Sequence, residues 1–163
     1  MKTPVWLVYP YDSIGNFIDA MEGIGDDVSH AAIVLPDSTG KPWVYEAVGT
    51  GFRRVEPSVY DGIKLMEYLV DIPDITAAQK KAEDMLGTRY SKISCVEGFI
   101  HDTIGLEISQ GSTKATNCSE SVVIIVREGE GVLCGDTPAA CVTPEILQEY
   151  FDSVGIIGEV KNA

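Results

Sequence analysis

Three side chains in the sequence could combine in one reaction: a thiol, an imidazole and a carboxylate. The thiol belongs to Cys118, in the segment Asn117-Cys118-Ser119-Glu120, which has the spacing of a helix capping box. In the first turn of such a helix, unpaired N–H groups and the positive end of the dipole favour a thiolate, the nucleophilic form of cysteine. Buried cysteines are also common as inert packing, so the position alone leaves both roles open.

The imidazole belongs to His30, which stands directly before the apolar run Ala31–Leu35. A histidine at the mouth of an apolar strand is either a satisfied core or edge residue or a base that can take a proton from a thiol. Its position does not decide between the two.

A predicted hairpin adds the carboxylate of Glu46. The segments Val28–Leu35 and Trp43–Val48 are typical of strands, and the turn residues Pro36–Gly40 lie between them. A turn centred on Ser38 places His30 opposite Glu46, on the same face of the sheet. A carboxylate at one imidazole nitrogen fixes the tautomer and leaves the other nitrogen for the thiol. A register slip of one residue would instead leave Glu46 as a solvent-facing strand residue.

The remaining patterns predict the elements that surround these three residues. They comprise a helix over Ile14–Met21 capped by Ser13, a strand over Lys64–Val70, a helix from the capping box Thr76–Gln79 to Gly87, a helix over Cys95–Ile104, a buried helix running from Asn117 through Val122–Val126, a helix from Thr143-Pro144-Glu145 to Phe151, and an edge strand within Val154–Val160. The sum is an α+β domain over residues 1–163, with a mostly antiparallel sheet packed against helices.

Several short motifs, in this order, resemble the circularly permuted papain-like hydrolases. They are Ser29-His30, Val44-Tyr45-Glu46-Ala47, Gly51-Phe52-Arg53-Arg54-Val55, Gly87-Thr88-Arg89-Tyr90, Asn117-Cys118-Ser119-Glu120-Ser121-Val122 and Val142-Thr143-Pro144-Glu145. The family is related to the NlpC cell-wall peptidases and includes the YiiX-like branch and, more distantly, the lecithin:retinol acyltransferases. The resemblance spans Val28–Phe151. In these permuted relatives the histidine precedes the cysteine, as it does here.

The resemblance implies a papain-like fold and a catalytic triad of Cys118, His30 and Glu46. It implies acyl-enzyme chemistry on an amide, ester or thioester, with a peptide or acyl-amide substrate such as a cell-wall peptide. We further expect Tyr90, Asn117 and Ser119 to lie on the substrate side of the site, although Tyr90 is equally well explained as a packing residue.

Two other functions stay open. One is a binding or structural module that keeps the fold without catalysis. The other is a thiol-dependent acyltransferase, which the residues favour less because Ser119, Glu120 and Ser121 stand where the acyltransferase branch carries a histidine.

Composition and charge argue against several partners. The chain has 163 residues, a net charge of −13 and a pI near 4.4, which argues against nucleic acid and against anionic lipid surfaces. The run Val122–Val126 is too short to span a bilayer, so we expect no stable membrane insertion. Residues 1–11 lack the pattern of a signal peptide, so we expect a cytoplasmic protein, and a virus- or mobile-element-encoded enzyme fits equally well. The sequence does not indicate the oligomeric state.

The cysteines and histidines do not form a metal-site pattern. The four cysteines show no Cys-x-x-Cys spacing and the chain has only two histidines. The pair His101-Asp102 lacks the further histidines that a phosphohydrolase metal site needs. We therefore expect neither a metal nor another cofactor.

Overall fold

The computed structural model describes residues 1–9, 28–90 and 115–162. The predicted helices over Ile14–Met21 and Cys95–Ile104 lie outside these residues. Among the helices that are described, none is long and apolar enough to cross a membrane.

A six-stranded antiparallel sheet forms the frame of the structure. Its strands are β1 Lys2–Val8, β2 His30–Pro36, β3 Pro42–Val48, β4 Gly51–Val55, β5 Lys64–Asp71 and β8 Glu159–Asn162, in the order β4-β3-β2-β1-β5-β8. Two short strands, β6 Arg89–Tyr90 and β7 Ala115–Thr116, pair in parallel outside this sheet. The described helices are α1 Ile75–Met85, α2 Cys118–Glu128 and α3 Pro144–Ser153, with 3-10 turns at Pro57–Tyr60 and Ala139–Cys141. The predicted α+β class and antiparallel sheet are confirmed, whereas a single domain over residues 1–163 stays a prediction.

The central strands β1 and β2 are buried on both faces of the sheet, each face in its own apolar cluster. Side chains alternate across a strand, so Ala31 and Ile33 of β2 join the cluster that contains Val122 and Val126 of α2. Ala32 and its even-numbered neighbours face the other way, into a second cluster with Trp6 and Tyr60. Because β2 is buried on both faces, its register and orientation are strongly constrained.

The central strand β1 was not predicted, because prolines interrupt its apolar patch. Pro4 pairs with Leu69 of β5, but the alignment of β1 with β2 begins only at Val5, which pairs with Ile33. Proline lacks the N–H that a ladder hydrogen bond needs. Because Pro4 lies just before the first residue that pairs with β2, β1 can pair with both neighbouring strands from Val5 onward.

The helix predictions succeed at α2 and α3. In α3, the Thr143 side chain accepts a hydrogen bond from the backbone N–H of Ile146, and Pro144 occupies the first helical position. In α2, both bonds of the predicted capping box are present.

The predicted capping box at Thr76 is wrong. The cap of α1 is Asp74, whose Oδ1 accepts a hydrogen bond from the Ala77 N–H at 2.9 Å. Gln79 donates instead to the carbonyl oxygen of Pro36 at 2.5 Å. An aspartate caps well and its charge suits the helix N-terminus, so the earlier residue starts the helix. The predicted end near Gly87 is close, since α1 ends at Met85 and Gly87 has a φ of +80°.

The edge strand at the tail is confirmed, but it begins later than predicted. Residues 154–158 form the connection, and β8 starts at Glu159 and pairs with β5. Gly155 turns the chain with a φ of +71°. The Gly158 backbone lies so close to Met66 that an added Cβ would be 2.6 Å from its Cγ. Gly158 lies directly before Glu159, so the strand begins immediately after this close contact with Met66.

Candidate active site

Cys118 is the first residue of α2 and is almost fully buried. The Oδ1 of Asn117 accepts a hydrogen bond from the Glu120 N–H at 2.7 Å, and Glu120 Oε2 accepts one from the Asn117 N–H at 3.1 Å. The hydroxyl of Ser121 donates to the Cys118 carbonyl oxygen at 2.7 Å. Since α2 packs against β2 and β3, these bonds fix the thiol against the sheet.

The predicted hairpin register is wrong by two residues along β2. Glu46 lies opposite Ala32, not His30. The turn is centred on Thr39, because Asp37 and Lys41 close it through the bond from the Asp37 N–H to the Lys41 carbonyl oxygen at 2.8 Å. The Asp37 carboxylate also accepts hydrogen bonds from the N–H groups of Thr39 and Lys41. A shift of two residues keeps His30 and Glu46 on one face of the sheet.

His30 and Glu46 are in contact along a diagonal between the two strands. His30 Nε2 lies 2.9 Å from Glu46 Oε2, and the two side chains are only 6% and 3% exposed. With Nε2 held by the carboxylate, Nδ1 is the ring nitrogen left for the thiol.

The protonated form of His30 is stabilised by its two partners. Burial has the largest single effect and lowers the pKa of His30, but side-chain hydrogen bonds with Cys118 and Glu46, together with their negative charges, outweigh it and raise the pKa to about 10. The imidazole is thus hydrogen-bonded to the carboxylate and interacts with the nearby thiol.

Glu46 has two further partners that the sequence analysis missed. Arg53 places Nε and Nη2 each 2.8 Å from Glu46 Oε1, and the Tyr60 hydroxyl donates to Oε2 at 2.5 Å. Burial has the largest effect and raises the pKa of Glu46, but the hydrogen bond and charge of His30, then Tyr60 and Arg53, outweigh it and lower the pKa to about 2. A hairpin analysis extended to β4 could have found Arg53, which pairs directly with Glu46. Tyr60 lies in a 3-10 turn outside the strand pairs, so residue spacing does not predict its contact with Glu46.

The three residues predicted to lie on the substrate side surround Cys118 in different ways. Asn117 uses its side-chain oxygen for the helix cap. Ser119 has no exposed surface, and its Oγ lies 3.8 Å from Cys118 Sγ. Tyr90 is half-buried and pairs with Thr116, so it lies close in the fold to the residue that precedes Asn117. Of the three residues, Asn117 and Ser119 are buried, whereas the half-buried Tyr90 has exposed surface that a ligand could contact.

Two of the other candidate groups, Cys134 and Cys141, lie within the described residues. Both cysteines are buried, and burial raises the pKa of Cys134 to about 11. Cys95 and the pair His101-Asp102 lie outside the described residues. In the part of the chain that is described, no group of three or more His, Cys, Asp or Glu side chains could hold a metal ion.

Comparison with known proteins finds a structural likeness. No protein-family model matches the sequence, and no match was found among curated proteins. The crystal structure of the metalloprotein YiiX from Escherichia coli O157:H7, a DUF1105 protein, matches with a TM-score of 0.50 at 14% sequence identity, over 99% of this chain and 96% of that one. The α+β architecture described above is therefore a YiiX-like fold.

Proposed function

We propose that this protein is a cysteine hydrolase of the permuted papain-like kind, with a triad of Cys118, His30 and Glu46. The observation that carries the proposal is that the buried imidazole of His30 is hydrogen-bonded to the Glu46 carboxylate at 2.9 Å and lies near enough to the Cys118 thiol for the thiol to raise its pKa. A nucleophile, its base and an orienting acid in this arrangement are what thiol-dependent acyl transfer requires. The YiiX-like fold and the order of His30 before Cys118 support the same assignment.

Each residue has a defined role in the proposed reaction. The Cys118 thiolate attacks the carbonyl carbon of an amide, ester or thioester, and the His30 imidazolium gives its proton to the leaving group as the acyl bond breaks. Water then attacks the thioester and gives a proton to His30, which releases the carboxylic acid and restores Cys118. Glu46 stabilises the imidazolium and keeps its Nδ1 directed at the sulfur.

The start of α2 supplies candidate donors for the oxyanion. Helix geometry gives the first N–H groups of a helix no partner within it. Asn117 already accepts bonds from Glu120 and Ser121, through its side chain and its carbonyl oxygen. The N–H groups of Cys118 and Ser119 are then placed to stabilise the negative oxygen of a tetrahedral intermediate. A peptide or acyl amide, including a cell-wall peptide, has the carbonyl that this arrangement needs.

Alkylation with iodoacetamide near pH 6 tests the pair of Cys118 and His30. We expect Cys118 to be labelled about tenfold or more faster than Cys134 and Cys141, because only a cysteine with a thiolate reacts at this pH. His30→Ala should abolish the difference. The labelled residue is identified by peptide mass spectrometry after brief exposure of the native protein. Slow labelling of all cysteines alike would contradict the proposal and favour a non-catalytic module.

An activated ester separates hydrolase from acyltransferase. With p-nitrophenyl acetate, we expect an acetyl adduct on Cys118 that decays in water alone, whereas an acyltransferase adduct would persist until an amine or alcohol acceptor is added. Cys118→Ser, measured by intact mass, controls for acetylation elsewhere.

A further inference from the structure

Two clusters of the same composition lie across the β3–β4 pair. In the first, Glu46 binds Arg53 and Tyr60. In the second, Glu83 of α1 accepts hydrogen bonds from Arg54 at 2.7 Å and from the Tyr45 hydroxyl. The strand register explains the repetition, since β3 and β4 pair Glu46 with Arg53 and Tyr45 with Arg54. Because consecutive residues point to opposite faces, one cluster lies on each side of the sheet.

The two clusters differ in what else they contain. The Glu83 side chain is 43% exposed and its cluster touches solvent. The Glu46 side chain is 3% exposed and also binds His30. Of the two similar Glu–Arg–Tyr groups, the Glu46 group contacts the imidazole and the Glu83 group does not. The Glu83 group can therefore serve as a control.

We infer that Arg53 and Tyr60 are positioning residues, which hold Glu46 as a carboxylate directed at His30. The inference rests on the proposed triad and extends it outward by one layer. It assigns a separate task to each residue.

Arg53 supplies charge. The groups that face Glu46 are His30 from β2, Arg53 from β4 and Tyr60 from the 3-10 turn, with Cys118 of α2 beyond His30. With a thiolate and an imidazolium at Cys118 and His30, a carboxylate at Glu46 leaves one negative charge, which the guanidinium of Arg53 balances. The Arg53 side chain is 44% exposed, but its guanidinium pairs with the buried carboxylate, so that carboxylate avoids the large penalty of an unpaired buried charge. Arg53 also lowers the affinity of Glu46 for a proton, so the shared proton stays on His30.

Tyr60 supplies direction. Its hydroxyl and His30 Nε2 meet the same oxygen, Glu46 Oε2, at 2.5 and 2.9 Å. The Tyr60 ring packs edge-on against Trp6, with centroids 5.3 Å apart, so the hydroxyl position is fixed by packing. Burial, then the charge of Glu46, raise the pKa of Tyr60, which keeps the hydroxyl a donor. Carboxylate rotation away from His30 would break this bond as well.

Titration of Glu46 by carboxyl ¹³C NMR from pH 2 to 7 tests the inference. In Arg53→Gln and Tyr60→Phe, we expect the titration midpoint of Glu46 to rise by about one pH unit or more. Arg53→Lys keeps the positive charge, so the titration midpoint of Glu46 should stay close to its wild-type value. The matched variants Arg54→Gln and Tyr45→Phe remove the same groups from the Glu83 cluster and should leave Glu46 unchanged.

An unchanged Glu46 midpoint in both Arg53→Gln and Tyr60→Phe would overturn the inference, as would an equal shift in Arg54→Gln. If Arg53→Gln fails to fold, Tyr60→Phe decides alone, because it keeps the ring that packs on Trp6. The proposed hydrolase is tested separately by alkylation of Cys118. Selective labelling with an unmoved Glu46 titration would keep the hydrolase and reject this inference.

Discussion

At the scale of single residues, the role of Glu46 follows from its contact with His30. The carboxylate stabilises the imidazolium through a hydrogen bond and its charge. The carboxylate favours the charged ring over the neutral one, because only the charged ring gains from it, and the charged ring is the proton donor of the proposed reaction.

Glu46→Gln should therefore lower the pKa of His30 by about one pH unit or more. The amide keeps the size of the side chain but not its charge. We also expect alkylation of Cys118 at pH 7 to slow by about tenfold, since less thiolate is present. The pKa is measured from ring ¹⁵N shifts, which are simple to assign with two histidines. Glu83→Gln is the control, and a His30 that titrates alike in both variants would contradict the assigned role.

The pairing of His30 with Glu46 was predictable because it depends on which face of the sheet each side chain points to, and not on the exact register of the two strands. A shift of two residues left Glu46 on the face of His30, so the pair was found with the wrong opposite residue. The register itself depends on side-chain bonds of Asp37 that lengthen the turn, which residue spacing does not reveal. Tyr60 reaches Glu46 from outside the strand ladders, where no periodicity applies.

At the scale of elements, a cap was predictable where the full capping box forms. Asn117 starts α2 as expected, and Glu120 three residues later accepts from the Asn117 N–H to close the box. Thr76 has a competitor two residues earlier, and Asp74 forms the cap. The strand β1 was missed because the effect of Pro4 depends on which neighbouring strand its missing N–H would have faced.

A close contact between β4 and the turn before β6 holds the start of α2 in place. The Phe52 N–H donates to the Thr88 carbonyl oxygen at 2.7 Å, and the Gly87 N–H donates to the Phe52 carbonyl oxygen at 2.9 Å. The chain then enters β6, which pairs with β7 directly before Asn117. Gly51 permits this approach, because a Cβ there would lie 2.8 Å from Thr88 O.

Gly51→Ala should lower the free energy of unfolding by roughly 2–4 kcal/mol, because it adds a backbone clash to an unfavourable φ. Gly40→Ala is the matched control. Gly40 also has a positive φ, +86°, but an added Cβ meets nothing within 4 Å. We expect only about 1 kcal/mol from its backbone strain. Urea unfolding at pH 7 measures both values. Equal losses would show that the contact with Thr88 has no special weight.

At the scale of the whole molecule, the buried pair makes folding stability depend on pH in two windows. The pKa of His30 is raised from 6.5 to about 10, so its contribution is complete below pH 6.5 and is lost as the pH rises toward 10. The pKa of Glu46 is lowered from 4.5 to about 2, so its contribution is complete above pH 4.5 and is lost as the pH falls toward 2. Both contributions are complete between about pH 4.5 and 6.5.

The alkaline window can be isolated by comparison with His30→Gln, which lacks the titrating ring. Between pH 6.5 and 10, the wild-type protein should lose roughly 4 kcal/mol more unfolding free energy than this variant. Urea unfolding followed by the fluorescence of Trp6 and Trp43 measures the difference at each pH, and subtraction removes the titration of the many other acidic and basic groups. A difference in unfolding free energy that stays constant over this range would mean that Glu46 and Cys118 do not raise the pKa of His30 in the folded protein. A wild-type advantage in unfolding free energy that shrinks as the pH rises would instead tie the stability of the fold to the same proton that the proposed catalysis uses.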